Sequence, residues 1–352
     1  MSHAMRRAST EAWLNYRHIL KWASITGVGA LSAAAVQRAR RTRIVPTELR
    51  SAALMASPTF SPWLVAFVRR AMALAPVARL PTGMRMSEHQ VAGDAGRPPI
   101  RVVIFERAVR SAKRPALLWM HGGGYVIGTP EQDIAFLSKL LDRLDITIVS
   151  VDYRLAPDHP FPAPLNDCHA ALGWLAEHAA GLAIDPDRIA IGGQSAGGGL
   201  AAALVQRAVD AGPVVPVFQL LVYPMLDAAT TARADDGDTG RFVWTPASNR
   251  FGWTSYLGGD PKADDHPAYA VPARRADLHD LPPAWIGVGT LDLFHDEDLA
   301  FAERLRQAGI PCVTHVTEGG YHAFDLMKPN AAATSLFHDS MVAALKEGLG
   351  IA

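Results

Sequence analysis

A serine lies between glycines in Gly193-Gln194-Ser195-Ala196-Gly197, after the apolar run 188–192 and before a run of small residues, 198–209. That order places Ser195 between a buried strand and a helix, in a turn where larger residues at 193 and 197 would clash. Such a nucleophile elbow lifts the hydroxyl above the sheet and points a helix N-terminus at it. The chemistry it serves is acyl transfer. In a chain with 29 glycines the pentapeptide alone does not differ from a Gly-rich turn, so the decision falls to three other groups.

A serine hydroxyl is a poor nucleophile at neutral pH. It needs a base in hydrogen-bond reach, and the base needs a carboxylate that fixes its tautomer and stabilises its charged form. Of 13 histidines, His322 in Gly319-Gly320-Tyr321-His322-Ala323-Phe324 sits just after the last strand candidate, on a Gly-rich turn before the final helix. For the acid, Asp292 directly follows the strand candidate that ends near Thr290. Its competitors are Asp296, Glu297, Asp298 and Asp325. The first three open a helix, where the macrodipole and N-capping commonly account for carboxylates. Asp325 is only three residues from His322.

The remaining need is a set of donors for the oxyanion formed when Ser195 attacks a carbonyl. His121-Gly122-Gly123-Gly124-Tyr125 follows the strand candidate ending at Met120, and its glycines let backbone N–H groups turn toward one point. With the elbow, Gly123 and Gly124 donate from this loop and Ala196 from the start of the elbow helix.

These groups require strands and helices in alternation. Strand candidates lie at 100–106, 116–120, 146–153, 188–192, 218–223, 284–290 and 313–318, and helical spacing at 131–144, 165–179, 198–211, 296–308 and 331–347. The pattern predicts an α/β fold, a mostly parallel central sheet with helices on both faces. Two regions break the rhythm: residues 1–90, which read as helical, and 225–272, far longer than a normal crossover. Both are read as one helical cap. The domain reading is therefore an N-terminal cap segment at 1–90, whose first 45 or so residues form an extension, and a catalytic domain at 91–352 with 225–272 inserted as the second cap segment. Within the insertion, Trp244, Phe251, Trp253 and Tyr256 are expected to divide between facing the acyl pocket and packing.

Lysine plus arginine equals aspartate plus glutamate at 34 each, so no global field favours nucleic acid. The balance hides an asymmetry: residues 1–80 carry 12 basic groups against two acids. Two cysteines, Cys168 and Cys312, offer no disulfide scaffold or zinc spacing and read as small buried hydrophobes; no cofactor or metal is implied. The chain reads as cytoplasmic. The stretch 22–36 is too short and too polar for a membrane span, which leaves a peripheral membrane contact through residues 1–45 as the alternative to a packing helix.

Together these segments resemble the hormone-sensitive-lipase-like carboxylesterases of bacteria. The resemblance rests on Leu118-Trp119-Met120-His121-Gly122-Gly123-Gly124-Tyr125, on Asp152-Tyr153-Arg154-Leu155-Ala156-Pro157-Asp158-His159-Pro160-Phe161-Pro162, on the elbow, and on Asp292 with the His322 turn. The chain order Ser, Asp, His is that of α/β-hydrolases. The resemblance implies an α/β-hydrolase fold and cofactor-free hydrolysis of small carboxylic esters, of short to medium acyl chains, through an acyl-serine intermediate; it permits a homodimer. It also implies that His121 positions the glycine loop and transfers no proton, that Tyr153 and Arg154 are structural, and that Asp158 supports the site loops. Gln194 departs from the aspartate or threonine usual at that place, and Leu293 from the frequent proline. Two other readings remain: a non-hydrolytic ligand receptor on the same fold, which would lack the base, and a membrane-associated lipase acting on lipid esters.

Overall fold

The computed structural model describes residues 42–352 apart from 56, 58, 94–97, 110–112, 213 and 234–237. Eight strands form one sheet: β1 (Met84–Val91), β2 (Ile100–Arg107), β3 (Arg114–Met120), β4 (Thr147–Val151), β5 (Ile184–Gln194), β6 (Phe218–Val222), β7 (Ala284–Gly289) and β8 (Cys312–Thr317). Their order across the sheet is β1-β2-β4-β3-β5-β6-β7-β8. The β1–β2 and β2–β4 pairs are antiparallel and the other five are parallel.

Alternation along each strand splits the core in two. Leu118 and Met120 of β3 and Ile189 and Ile191 of β5 pack on one face with Leu165, Cys168, Leu172 and Leu175 of α3 (Ala163–His178). The same cluster takes in Phe301 and Leu305 of α6 (His295–Gln307). Leu117 and Trp119, one residue out of step, pack on the other face with Leu137, Leu140 and Leu141 of α2 (Ile134–Arg143) and with Phe337, Met341 and Leu345 of α8 (Ala332–Gly348). A period of two on strands covered from both sides produces this division. The elbow helix, α4 (Ala196–Ala211), is buried almost throughout. Its glycines admit the chain end of β6: a Cβ on Gly199 would lie 2.2 Å from the Met225 carbonyl oxygen.

Residues 1–90 are not helical throughout. The structure has α1 (Pro62–Leu74) and three short turns in the described part, but Met84–Val91 is an edge strand paired with β2 along its whole length. The segment Met-Arg-Met-Ser-Glu-His-Gln-Val buries only its last residue, so it carries almost none of the apolar alternation by which strands are recognised. Most of the 1–45 segment lies outside the described residues. Between β6 and β7 stands α5 (Pro246–Leu257), opened by Thr245, which accepts from the Ser248 N–H, and closed by the left-handed Gly258. Among the described residues no helix is long and apolar enough to cross a membrane.

Candidate active site

Ser195 occupies the left-handed region at φ 56°, which a non-glycine residue adopts only when its surroundings hold it there. Its N–H donates to the Val222 carbonyl at 2.9 Å and its carbonyl accepts from the Met225 N–H at 2.9 Å, so the end of β6 clamps both backbone groups. The flanking glycines are required on contact grounds. A Cβ at 193 would lie 2.3 Å from the Gly197 carbonyl oxygen, and one at 197 would lie 2.1 Å from that of Met120.

The loops after β7 and β8 touch backbone to backbone. Thr290 N–H donates to the Thr317 carbonyl at 3.0 Å and Leu291 N–H to that of Gly320 at 2.9 Å, while a Cβ on Gly289 would strike the Gly320 carbonyl at 2.1 Å. This seam carries Asp292 from one side and His322 from the other. His322 Nδ1 lies 2.8 Å from Asp292 Oδ2, and His322 Nε2 lies 2.9 Å from Ser195 Oγ. The other carboxylate oxygen, Asp292 Oδ1, accepts the Phe294 N–H at 3.1 Å. All three side chains are buried, and the imidazole is held between the edges of Tyr223 and Phe294 at ring separations of 4.9 and 5.3 Å.

The competing acids lie elsewhere. Asp296 is exposed and pairs with His295 and Arg233. Glu297 accepts from the N–H groups of Leu226 and Asp227 and from the Thr230 hydroxyl; burial pushes its carboxyl up to about 8. Among the described residues Asp298 is buried without a hydrogen-bond partner, and burial together with Glu297 and Asp292 raises its carboxyl well above the usual range. Asp325 bonds Tyr223 and His338, not His322.

Gly123 and Gly124 have φ of 128° and 61° and fit only without side chains: a Cβ would lie 2.0 Å from the Ile127 carbonyl oxygen and 2.2 Å from the Trp244 ring. Among the described residues, the N–H groups of Gly123, Gly124 and Ala196 donate to no backbone carbonyl. His121 is buried against Tyr153 at 4.3 Å, its Nδ1 lies 2.8 Å from the Gly122 carbonyl, and burial lowers its pKa, so a neutral ring props the loop. Tyr153 donates to the His121 carbonyl at 2.7 Å, and Arg154 forks onto Asp167. Asp158 pairs with Arg69 of α1, which also donates to the Val126 and Ala156 carbonyls. Thus α1 is tied to the loops that follow β3 and β4.

Above Ser195 opens a cavity of about 350 Å³ whose walls include Phe60, Val243, Trp244, Leu326 and Met327. Of the four cap aromatics only Trp244 reaches it. Trp253 and Tyr256 are buried against Tyr125, with Tyr125 and Tyr256 stacked at 4.0 Å, and Phe251 packs on the same core. Neither cysteine is near: Cys168 is buried in the core and Cys312 borders it, both thiols free and raised by burial. No cluster of three His, Cys, Asp or Glu residues among the described ones could hold a metal ion.

Residues 117–326 match the sequence profile of the alpha/beta hydrolase fold family. The chain is 35% identical over 243 residues to esterase LipI of Mycobacterium tuberculosis (strain ATCC 25618 / H37Rv), covering 68% of this chain and 75% of that one. It is 35% identical over 277 residues to carboxylesterase NlhH of Mycobacterium tuberculosis (strain CDC 1551 / Oshkosh), covering 76% and 83%. The chain belongs to the hormone-sensitive-lipase-like carboxylesterases. A solved bacterial heroin esterase superposes on this esterase with a TM-score of 0.79 at 35% identity, over 87% of this chain and 98% of its own. The protein is a carboxylic ester hydrolase, and the receptor reading is set aside.

Sequence reasoning missed the groups behind the elbow. Gln194 contacts Asp133 and Tyr223, and Tyr223 contacts Asp325. Asp133 stands at the mouth of α2, where an acid is ordinarily a helix-start residue, so nothing local marked it.

Proposed function

We propose that this esterase hydrolyses short- to medium-chain carboxylic esters through an acyl-serine intermediate. The unbroken line from Ser195 Oγ through His322 to Asp292 carries the reading. His322 Nε2 takes the proton as Ser195 Oγ bonds the carbonyl carbon, and Asp292 orients the ring and stabilises its charged form. The N–H groups of Gly123, Gly124 and Ala196 receive the oxyanion, aided by the N-terminus of the 16-residue α4. The ring then returns its proton to the departing alkoxide, and water repeats the cycle on the acyl-serine. The described residues before β1 and the segment between β6 and β7 act together as the cap, since Phe60 of the first and Trp244 of the second both wall the cavity. Its volume of about 350 Å³ is near the lower bound of ligand pockets, roughly 300–1,000 Å³, and its walls are apolar, which suits a short acyl chain. Fluorophosphonate should label the full chain at Ser195 and leave Ser195→Ala unlabelled and inactive on p-nitrophenyl butyrate. Turnover by the purified, folded mutant would refute the assignment.

A second observation supports contact with a lipid surface. On α1, Trp63, Phe67 and Leu74 fall on one face and are 73%, 65% and 75% exposed, with Arg70 among them, in a segment whose basic residues outnumber its acids. Co-sedimentation with anionic vesicles should drop on replacing the three apolar residues by serine and be absent with zwitterionic vesicles. Equal binding by the triple variant would remove this reading.

A further inference from the structure

Gln194, beside the nucleophile, has its amide between the buried acid Asp133 and the buried phenol of Tyr223. Its Nε2 position is 2.6 Å from Asp133 Oδ1 and its Oε1 position 3.3 Å from the Tyr223 hydroxyl oxygen. Tyr223 in turn lies 3.1 Å from Asp325 Oδ1, and Asp325 Oδ2 lies 3.0 Å from His338 Nε2. Asp133 Oδ2 accepts from Trp119 Nε1 at 2.8 Å. In that orientation the proton count fails. Tyr223 has one hydrogen and faces two acceptors, Gln194 Oε1 and Asp325 Oδ1.

A half-turn of the carboxamide exchanges its oxygen and nitrogen at almost no change in shape. With Oε1 toward Asp133 and Nε2 toward Tyr223, a proton on Asp133 Oδ1 closes the count. Asp133 donates to Gln194, Gln194 to Tyr223, and Tyr223 to Asp325, which also receives His338. The two distances support the turned amide. A separation of 2.6 Å is short for N–H···O but ordinary for O–H···O, and 3.3 Å is long for O–H···O and nearer N–H···O. We propose that Asp133 is held as a neutral carboxylic acid which donates to the turned Gln194, and that the directed chain from Asp133 to Asp325 positions the elbow and His322.

The inference rests on Ser195 being the nucleophile and His322 its base. Its leverage comes through Tyr223. The ring of Tyr223 lies edge-on to His322, and its neighbours Val222 and Met225 hold the Ser195 backbone. The hydroxyl thereby joins the residue before the nucleophile to the helix turn after the base. The surroundings oppose ionisation of Asp133: it is buried, and the charge of Asp325 acts in the same direction, against the favourable bonds from Trp119, Gln132 and, with its amide unturned, Gln194. Its carboxyl is accordingly pushed up to about 7, while burial keeps Tyr223 protonated. Asp133, Gln194, Tyr223 and Asp325 are positioning residues; none touches the reacting atoms.

The test is Asp133→Asn, whose amide donates to Gln194 Oε1 and accepts from Trp119 as the neutral acid does. At about pH 6 the variant should keep kcat within about threefold of the wild type, and the ratio of variant to wild-type kcat should rise as the pH passes through about 7. A ratio that stays flat or falls overturns the proposal. Infrared spectra of the full chain with ¹³C at its aspartate carboxyls give a second readout. A protonated-acid carbonyl band should bleach between about pH 6 and pH 8.5 in the wild type and equally in Asp298→Asn, which removes the other buried, raised aspartate. No such bleaching band in the wild type overturns the proposal, and this measurement decides alone if the variant does not fold. Fluorophosphonate labelling in parallel keeps the two ideas apart: an unlabelled wild type refutes the nucleophile assignment, whereas a failed band refutes only the neutral Asp133.

Discussion

Two histidine–aspartate pairs, one buried and one half-buried, lie close together in the chain, and only one faces a nucleophile. His322 meets Asp292 at 2.8 Å through Nδ1 and presents Nε2 to Ser195. His338 meets Asp325 at 3.0 Å through Nε2, with its ring against Phe136 and Phe337 beside a separate cavity of about 300 Å³. No hydroxyl is bonded to His338 among the described residues. The pairing itself is thus no mark of a proton shuttle; the difference lies in what the other ring nitrogen reaches. Asp325 uses its second oxygen for Tyr223, so this second pair buttresses the first.

The sharpest break should come from the two histidines. His322→Ala should lose about 10⁴-fold or more in kcat, with substrate binding by KM little changed, whereas His338→Ala should lose no more than about tenfold. Comparable losses would erase the distinction between the pairs. The acids follow. Asp292→Asn should cost on the order of 10⁴ in kcat by leaving the ring in the wrong tautomer, while Asp325→Asn, which still accepts from Tyr223, should stay within about tenfold. Steady-state kinetics on the purified variants decides this.

A smaller effect is expected at the glycine loop. Gly124→Ala must displace Trp244 and strain a left-handed backbone, so kcat should fall by about 10²–10³ as one donor leaves its place. The smallest effect concerns stability. Folded Asp133 keeps its proton to about 7, while the unfolded chain releases it near 3.8. Between those values the native state binds more protons, so this residue makes stability fall as pH rises, and above about 7 the loss is complete. Urea unfolding should therefore show Asp133→Asn gaining on the wild type from pH 4 to 7, by on the order of a few kcal/mol, and holding that gain above. A difference independent of pH would show that Asp133 ionises alike in both states.

Ser195, Asp292, His322 and the glycines at 122–124 stood out in the sequence because each sits at the end of a strand, where local composition and chain order both speak. β3 to β7 were legible because buried parallel strands are continuous apolar runs, and β2, though antiparallel, because it too is buried along most of its length. β1 was not, because an edge strand paired on one side needs little apolar surface. The Asp133–Gln194–Tyr223–Asp325 chain was not, because its members come from α2's entry, β5, the turn just after β6 and α7 (Phe324–Met327), and each type is common where it stands.

The sequence by itself determined the α/β architecture from 100 onward, the reaction class and the serine, acid and base in their order. These follow from local rules: strand periodicity, glycine at positive φ, and the few residue types able to activate a hydroxyl. Only the tertiary structure decided that the single ring of His322 reaches both Ser195 and Asp292, that Trp244 alone of the four cap aromatics faces the cavity, and that Gln194 stands between Asp133 and Tyr223. Those outcomes depend on contacts between segments 29 to 127 residues apart, set by how the sheet closes, and no local pattern encodes them.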